Sequence, residues 1–272
     1  MQIFNKIVSQ QLFIRETELK YLIILLLVFT TTLSALSNDF EELVERGDSL
    51  YAKFEMAAAL LNYEQAFSLK SDDYNLLLKI TRVCNDLGEY YYELRDEKSS
   101  EEVVYKAVDY AEKFYKLYPD SAKVYTFLAW SYGNQALFEG GKEKIKLAYK
   151  IKDNAEKAIQ MDSTDYLPYI ILGIYHRQLA ALNWFERTFA NIFFGKVPEG
   201  SFEESEKMMS KALAIQPGII IATFHLSLTY KEMGKTEKEI DMLKKVIELP
   251  ERDFRDNFAK RKAKKRLKEL SE

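Results

Sequence analysis

Histidine, cysteine and clustered carboxylates carry most protein chemistry, and this 272-residue sequence uses the first two sparingly. It holds two histidines, His176 and His225, and a single cysteine, Cys84. Neither histidine has a Cys or carboxylate at ligand spacing, and a zinc site needs three or four such donors. A lone cysteine cannot close an intramolecular disulfide, so Cys84 reads as a small core residue. There is no phosphate loop, no nucleophile elbow and no His-Glu-x-x-His pair. The carboxylates are numerous but lie beside lysines along helix faces, as solvated surfaces require. Glu186, close to Trp184 and Arg187, is the carboxylate with the best case for a special role, and it reads as one half of an ion pair to a neighbouring helix. These side chains predict no enzyme, no cofactor and no metal.

The elements that could position any site must be helices. The chain is 47% hydrophobic, 30% charged and 14% aromatic, with only ten Gly and five Pro. That composition excludes a disordered or collagen-like chain and leaves too few turn residues for many short strands. Net charge is −3, so no global basic field argues for nucleic acid. The charge is unevenly placed. Residues 251–272 carry nine Lys/Arg against five Asp/Glu, whereas residues 38–250 carry 27 against 35. An acidic body therefore bears a basic tail. Within that tail the run Lys260–Lys268 has no aromatic to stack on a base. Ala259, Ala263, Leu267 and Leu270 recur at helical steps, so a solenoid-capping helix over 251–272 explains it without nucleic acid or acidic lipid.

Residues 21–38 contain no charge, follow Lys6, Arg15 and Lys20, and precede Ala35-Leu36-Ser37. Small residues at positions 35 and 37 fit a signal-peptide cleavage site after Ser37, with 1–37 removed and the chain exported to a periplasm or the cell exterior. A retained membrane anchor through residues 21–37 is the alternative, since roughly 18 uncharged residues just span a bilayer.

From residue 38 to 250 a repeat keeps a fixed register. Pro119 and Pro217 each end an amphipathic stretch, and nine and thirteen residues beyond each lie Leu128/Tyr132 and Leu226/Tyr230. The same ruler from Ser163 lands on Leu172-Gly173 and His176, and from Ser71 on Ile80 and Cys84, with Gly88 aligned to Gly234. Ala66, Phe114, Ala158 and Ala212 precede the four stops, and Ala59 and Tyr63 complete the first unit. This is the tetratricopeptide pattern, in which small residues let paired helices approach while Tyr and Leu fill the groove between them. The expected fold is all-α: a tetratricopeptide-like solenoid of about five helix–turn–helix units, approximately 40–71, 74–119, 122–163, 166–217 and 220–250, plus the C-terminal capping helix. In the longest unit, Trp184, Phe185, Phe189, Ile192 and Phe193 keep helical spacing, which predicts a first helix running on to Phe194. Gly195, Pro198 and Gly200 then break it, and Ser201 with Glu204 reads as a capping box for the next helix. His176 takes the Tyr position of its unit and should pack between helices.

The segments Tyr149–Ile159, Leu172-Gly173, Trp184-Phe-Glu-Arg187 and Phe194-Gly-Lys-Val-Pro-Glu-Gly-Ser-Phe-Glu-Glu204 resemble the regulator of microtubule dynamics family. The resemblance spans roughly residues 45–250 and is densest from Tyr149 to Pro217. It implies an all-helical repeat domain, often behind an amino-terminal membrane segment, with no enzymatic activity. It also implies, from the animal members, an association with microtubules and spindle poles.

Solenoids of this class bind on the concave wall built from the first helix of each unit. Counting two before and two after each register Leu gives Leu78/Arg82, Thr126/Trp130, Ile170/Ile174 and Phe224/Leu228 as inward positions. Six of these eight are apolar. Asn85, Asn134, Arg177, Gln178 and Lys231 supply a polar edge, and Trp184–Phe194 is expected to form one wall. The pattern predicts either a groove for an apolar helix, strand or acyl chain, or a closed core. The leading function is a non-enzymatic scaffold, exported or membrane-anchored, holding a protein partner. The alternatives are a carrier of a lipid or small apolar ligand and, from the resemblance, a cytoskeletal adaptor.

Overall fold

The structure is a computed structural model that describes residues 39–252 and 254–272. The expected signal or anchor within 1–37 lies outside the described residues. Among the described residues there are twelve helices and no strand, and the helices follow one another as antiparallel hairpins. Helix α1 (39–52) pairs with α2 (Met56–Leu69), α3 (Tyr74–Glu93) with α4 (Glu97–Leu117), and α5 (Ala122–Gln135) with α6 (Gly141–Met161). Helix α7 (Leu167–Ala180) pairs with α9 (Phe202–Ile215) across the inserted α8 (Trp184–Phe193), and α10 (Ile220–Glu232) pairs with α11 (Thr236–Glu248). Helix α12 (Phe254–Ser271) closes the array. This is the five-unit solenoid with a C-terminal cap that the repeat register predicts.

The starts and stops have local causes. Asp73, Asp96, Asn183 and Ser201 each accept a backbone N–H from the third residue of the helix they cap, satisfying a donor the first turn cannot. Three of the turns within pairs reuse one device. Phe54, Arg95 and Gly234 take left-handed φ of 61°, 64° and 68°, and the next residue donates its N–H to a carbonyl of the preceding helix. Gly234 is thus a turn residue, but Gly88, its sequence counterpart, lies inside α3; the turn residue of that pair is Arg95, one heptad later. The register is corrected there because the α3–α4 hairpin is about two turns longer in each helix than α7–α9.

Close approach within pairs rests on small residues. A Cβ on Gly88 would fall 2.6 Å from Val104 Cγ2, and one on Gly173 would fall 2.6 Å from Met209 Cε. Ser100 and Ser205, each at the fourth position of its helix, donate to the carbonyls of Gly88 and Gly173 at 2.7 Å, fixing both pairs identically. The core is a chain of layers rather than one centre: Tyr63 and Ile80, then Phe114 and Leu147, then Met209 and Ala212, then Leu243 and Val246.

The expected continuous helix to Phe194 is not formed. Helix α7 stops at Ala180, and Asn183 begins α8 with a full capping box, its side chain accepting from Glu186 N while Glu186 accepts from Asn183 N. Glu186 is therefore a cap partner, not half of the expected ion pair. Apolar spacing alone missed the break because it continues unbroken through Asn183. Of the capping box expected at Ser201, the Ser201 half forms; the carboxylate of Glu204 turns to Lys207.

Candidate functional site

The first helices α3, α5, α7 and α10 form the concave side, and α12 folds back across it. Between them lies a cavity of about 680 Å³. Arg82, Trp130, Asn134, Ile170, Ile174, Gln178, Phe224 and Leu228 line it, so eight of the thirteen residues expected at the groove come together from four repeats. Leu78 instead packs into the core beneath α3, and Asn85 is buried in an amide ladder. In that ladder Asn85 donates to Ser131 Oγ at 2.9 Å and accepts from Asn134 at 3.0 Å, joining α3 to α5. Thr126 is likewise buried, donating to Asp165 at 3.1 Å. Arg177 lies behind the wall, and Lys231 is exposed away from it.

The floor is apolar because α7 and α10 each turn Ile, Phe or Leu inward at consecutive turns. Trp130 and Phe224 are almost fully buried, so they belong to cavity wall and core at once. Helix α8 is not a wall. It leans on the outer side near α6, with Tyr149 donating to Lys196 O at 3.1 Å, and its aromatic residues do not reach the cavity.

One rim was not anticipated from the sequence. Glu89 and Glu93 of α3 face Arg255 and Lys262 of α12. Arg255 lies 3.5 Å from Glu89 and 3.7 Å from the buried Asp86, with its guanidinium 5.3 Å from the Trp130 ring centre. Trp130 in turn donates its indole N–H to Glu89 at 2.6 Å. The sequence signal was present in the charge asymmetry between body and tail, but nothing in one dimension says which helix the tail crosses.

His225 turns its remaining surface to this cavity, and its Nδ1 lies 3.3 Å from Arg177 Nη2. Burial, then the Arg177, Lys262 and Arg255 charges, pushes its pKa down to about 3, so the imidazole is neutral near pH 7. Burial also lowers the pKa of Arg177 and of His176, which is half-buried at its predicted place between helices. Among the described residues no group of three or more His, Cys, Asp or Glu is placed to hold a metal.

Comparison with known proteins decides the family. A model of regulator of microtubule dynamics protein 1-3 matches residues 43–271. The chain belongs to the regulator of microtubule dynamics family. Mouse regulator of microtubule dynamics protein 1 is 27% identical over 203 residues, covering 71% of this chain and 64% of that protein. Bovine regulator of microtubule dynamics protein 2 is 23% identical over 242 residues, covering 87% of this chain and 57% of that protein. The chain thus spans somewhat less than two thirds of these relatives. Among solved structures, a thermophilic tetratricopeptide protein of Thermus thermophilus, TTC0263, superposes with a TM-score of 0.60 at 16% identity, covering 82% of this chain and 98% of that one. That likeness shows the repeat fold.

The relatives overturn the expectation of export. They are mammalian proteins named for regulating microtubules, which exist neither in a periplasm nor outside the cell. Among the described residues no helix is long and apolar enough to cross a membrane.

Proposed function

We propose that this protein is a non-enzymatic repeat scaffold that holds a protein partner in its concave groove. One observation carries the reading: six side chains at register positions and two from the expected polar edge line a single cavity with an apolar floor and a charged rim. Protein-binding grooves combine an apolar centre with polar edges in this way. The names of the relatives support a partner within the microtubule system.

Ile174 and Leu228 test this best, since both line the floor yet are only half-buried. Ile174→Arg with Leu228→Arg should abolish partner capture while the helical circular dichroism spectrum is kept. Co-sedimentation of the purified protein with microtubules, with and without the double substitution, reads the microtubule branch. Undiminished capture by the folded double variant would end the groove assignment. Solvent extraction that recovers a stoichiometric apolar molecule would replace the protein partner with a small ligand.

A further inference from the structure

Helix α8 is built inside out. At about 100° per residue, Trp184, Phe185, Phe189, Ile192 and Phe193 fall within one half of its circumference, where Thr188 is the only polar residue. Glu186, Arg187 and Asn191 take the other half. A solvated helix turns its polar half outward. Here the polar half meets the protein: Arg187 donates to the carbonyls of Leu179 and Pro198, Asn191 accepts from Val197 N, and Glu186 closes the cap. The apolar half faces solvent, with Trp184, Phe185, Ile192 and Phe193 each at least 65% exposed. The ground beside it is basic, although the body is acidic. Tyr149 of α6 reaches the backbone of Lys196 just beyond α8, and a Cβ on Gly141 would fall 3.1 Å from the Phe194 ring, so the first half of α6 borders α8. Lys142 and Lys146 share the Tyr149 stripe of α6 at i, i+4 and i+7, and Lys144 and Lys150 stand exposed beside them. Segments 141–152 and 184–197 together carry seven basic residues against two acidic, whereas 38–250 as a whole carries 27 against 35.

We infer that α8 is a peripheral membrane-docking element, which lays its aromatic half into the headgroup layer of an anionic bilayer and sets the α6 lysines against the lipid phosphates. A helix lying in that interface sinks a broad apolar half carrying Trp and Phe and keeps Lys or Arg beside it. A helix made for a protein groove presents a narrower i, i+4, i+7 stripe. The width of the α8 face and its basic border therefore favour the bilayer. With ten residues α8 is too short to span, so it lies on the surface. None of its residues is buried, so entering the headgroup layer withdraws nothing from the core. Its aromatic residues do not reach the concave cavity, so docking leaves the groove free and the inference is independent of the groove reading.

Trp184 reports its own docking, because the only other tryptophan of the chain, Trp130, is buried. The whole chain is mixed with vesicles of phosphatidylcholine and phosphatidylserine in equal parts, with bromines on the acyl chains close to the headgroups. Trp184 emission should shift to the blue and be quenched by the bromines, while Trp184→Phe, which leaves Trp130 alone, should show neither change. Phe185→Ser with Phe193→Ser should abolish the quenching and leave the melt unchanged. Lys142→Gln with Lys146→Gln and Lys196→Gln should raise the lipid concentration at half-quenching on the order of a hundredfold, since each lysine near an anionic surface contributes roughly fivefold. Vesicles of phosphatidylcholine alone should quench as poorly as that variant does. Trp184 left unquenched on vesicle-bound chain overturns the inference. Equal quenching on neutral and anionic vesicles, or undiminished quenching in the lysine variant, overturns it too. A blue shift that grows with protein concentration in the absence of lipid also overturns it, and makes the α8 face a contact between copies of this chain.

Discussion

Helices α8 and α12 both stand outside the repeat pairs, and their sequences and their docking run opposite to each other. Helix α8 is strongly amphipathic, with Trp184, Phe185, Phe189, Ile192 and Phe193 on one side, yet none of its residues is buried. Helix α12 is strongly basic and poor in large apolar residues, yet Ala259, Ala263 and Asp256 are buried. Large apolar side chains drive burial only where a complementary surface faces them. The two alanines of α12 slot against Phe224, Leu243 and Val246 because they are small, while ion pairs fix the direction of the helix. Helix α8 is instead held at its ends. Asn183 caps it, Arg187 donates to the carbonyls of Leu179 and Pro198 at 2.6 and 3.0 Å, and Asn191 accepts from Val197 N at 2.7 Å. Polar staples hold the apolar helix, and small apolar contacts hold the polar one.

The largest effect expected from this contrast lies on α12. Glu239 of α11 is 2% exposed, and Arg266 clamps it through Nε at 2.7 Å and Nη2 at 3.3 Å. Arg266→Met leaves that carboxylate buried without its partner and should cost about 3 kcal/mol. Adding Glu239→Leu should return most of the loss, because the charge is removed along with its partner. Urea melts of the single and double variants measure both. A single variant as stable as the parent would show that packing alone docks α12.

The next effect is a pH dependence. His225 faces Arg255 and Lys262 of α12 as well as Arg177, and its folded pKa of about 3 lies below the ordinary 6.5. Its contribution is therefore fully present above pH 6.5. Below that the unfolded chain takes up a proton that the folded chain refuses, so stability falls toward pH 3 by up to about 1.4 kcal/mol per unit. Between pH 7 and 5 the expected loss is about 2 kcal/mol. His176 is lowered in the same direction, so His225→Gln should reduce the loss without abolishing it. An identical loss in that variant would place the titration elsewhere.

The outcome for these two helices also marks what the sequence can convey. Pro119, Pro217, Leu172 and Tyr230 set the repeat because each pair needs the same stop, filler and small residue, and those needs recur at fixed distances. The break at Asn183 was missed because a capping box is a two-residue polar signal inside an apolar rhythm. The hydroxyl-to-glycine bonds of Ser100 and Ser205 were legible in principle, since the Ser205 spacing equals the Ser100 spacing lengthened by the insertion between α7 and α9. The course of α12 across the concave side was not, because superhelical curvature decides whether residue 262 meets residue 93, and no local rule encodes curvature. For the same reason the register picks out positions that share one cavity but not the acidic rim that borders it.

A smaller effect is expected at Asn183. Its Ala variant removes the cap of α8 and should weaken that helix by about 1 kcal/mol. Helix α8 contributes no buried residue, so the loss should stay local, as in a segment that opens on its own. Hydrogen exchange should speed up several-fold at the amides of 186–193 while the global melting temperature holds. A lowered global melt would show that α8 is structurally coupled to the solenoid.

The smallest effect is expected where intuition puts a large one. Trp184 is 78% exposed and Phe193 is 65% exposed. Their removal takes little surface from any packed neighbour beyond the ring of Phe189 on α8 itself, whose centre lies 4.6 Å from that of Phe193. Trp184→Ser with Phe193→Ser should therefore change the unfolding free energy by less than about 0.5 kcal/mol, the range of surface substitutions that touch no cap, cavity or ion pair. By contrast Ala263→Leu, which adds three carbons where no solvent reaches, should cost about 1–3 kcal/mol through overpacking against α10 and α11. Melting both variants side by side sets two lost aromatic rings against three added carbons. If the aromatic variant proves the less stable, then α8 is bearing load through contacts that its exposure does not reveal, and the distinction between stapled and packed helices fails at its simplest point.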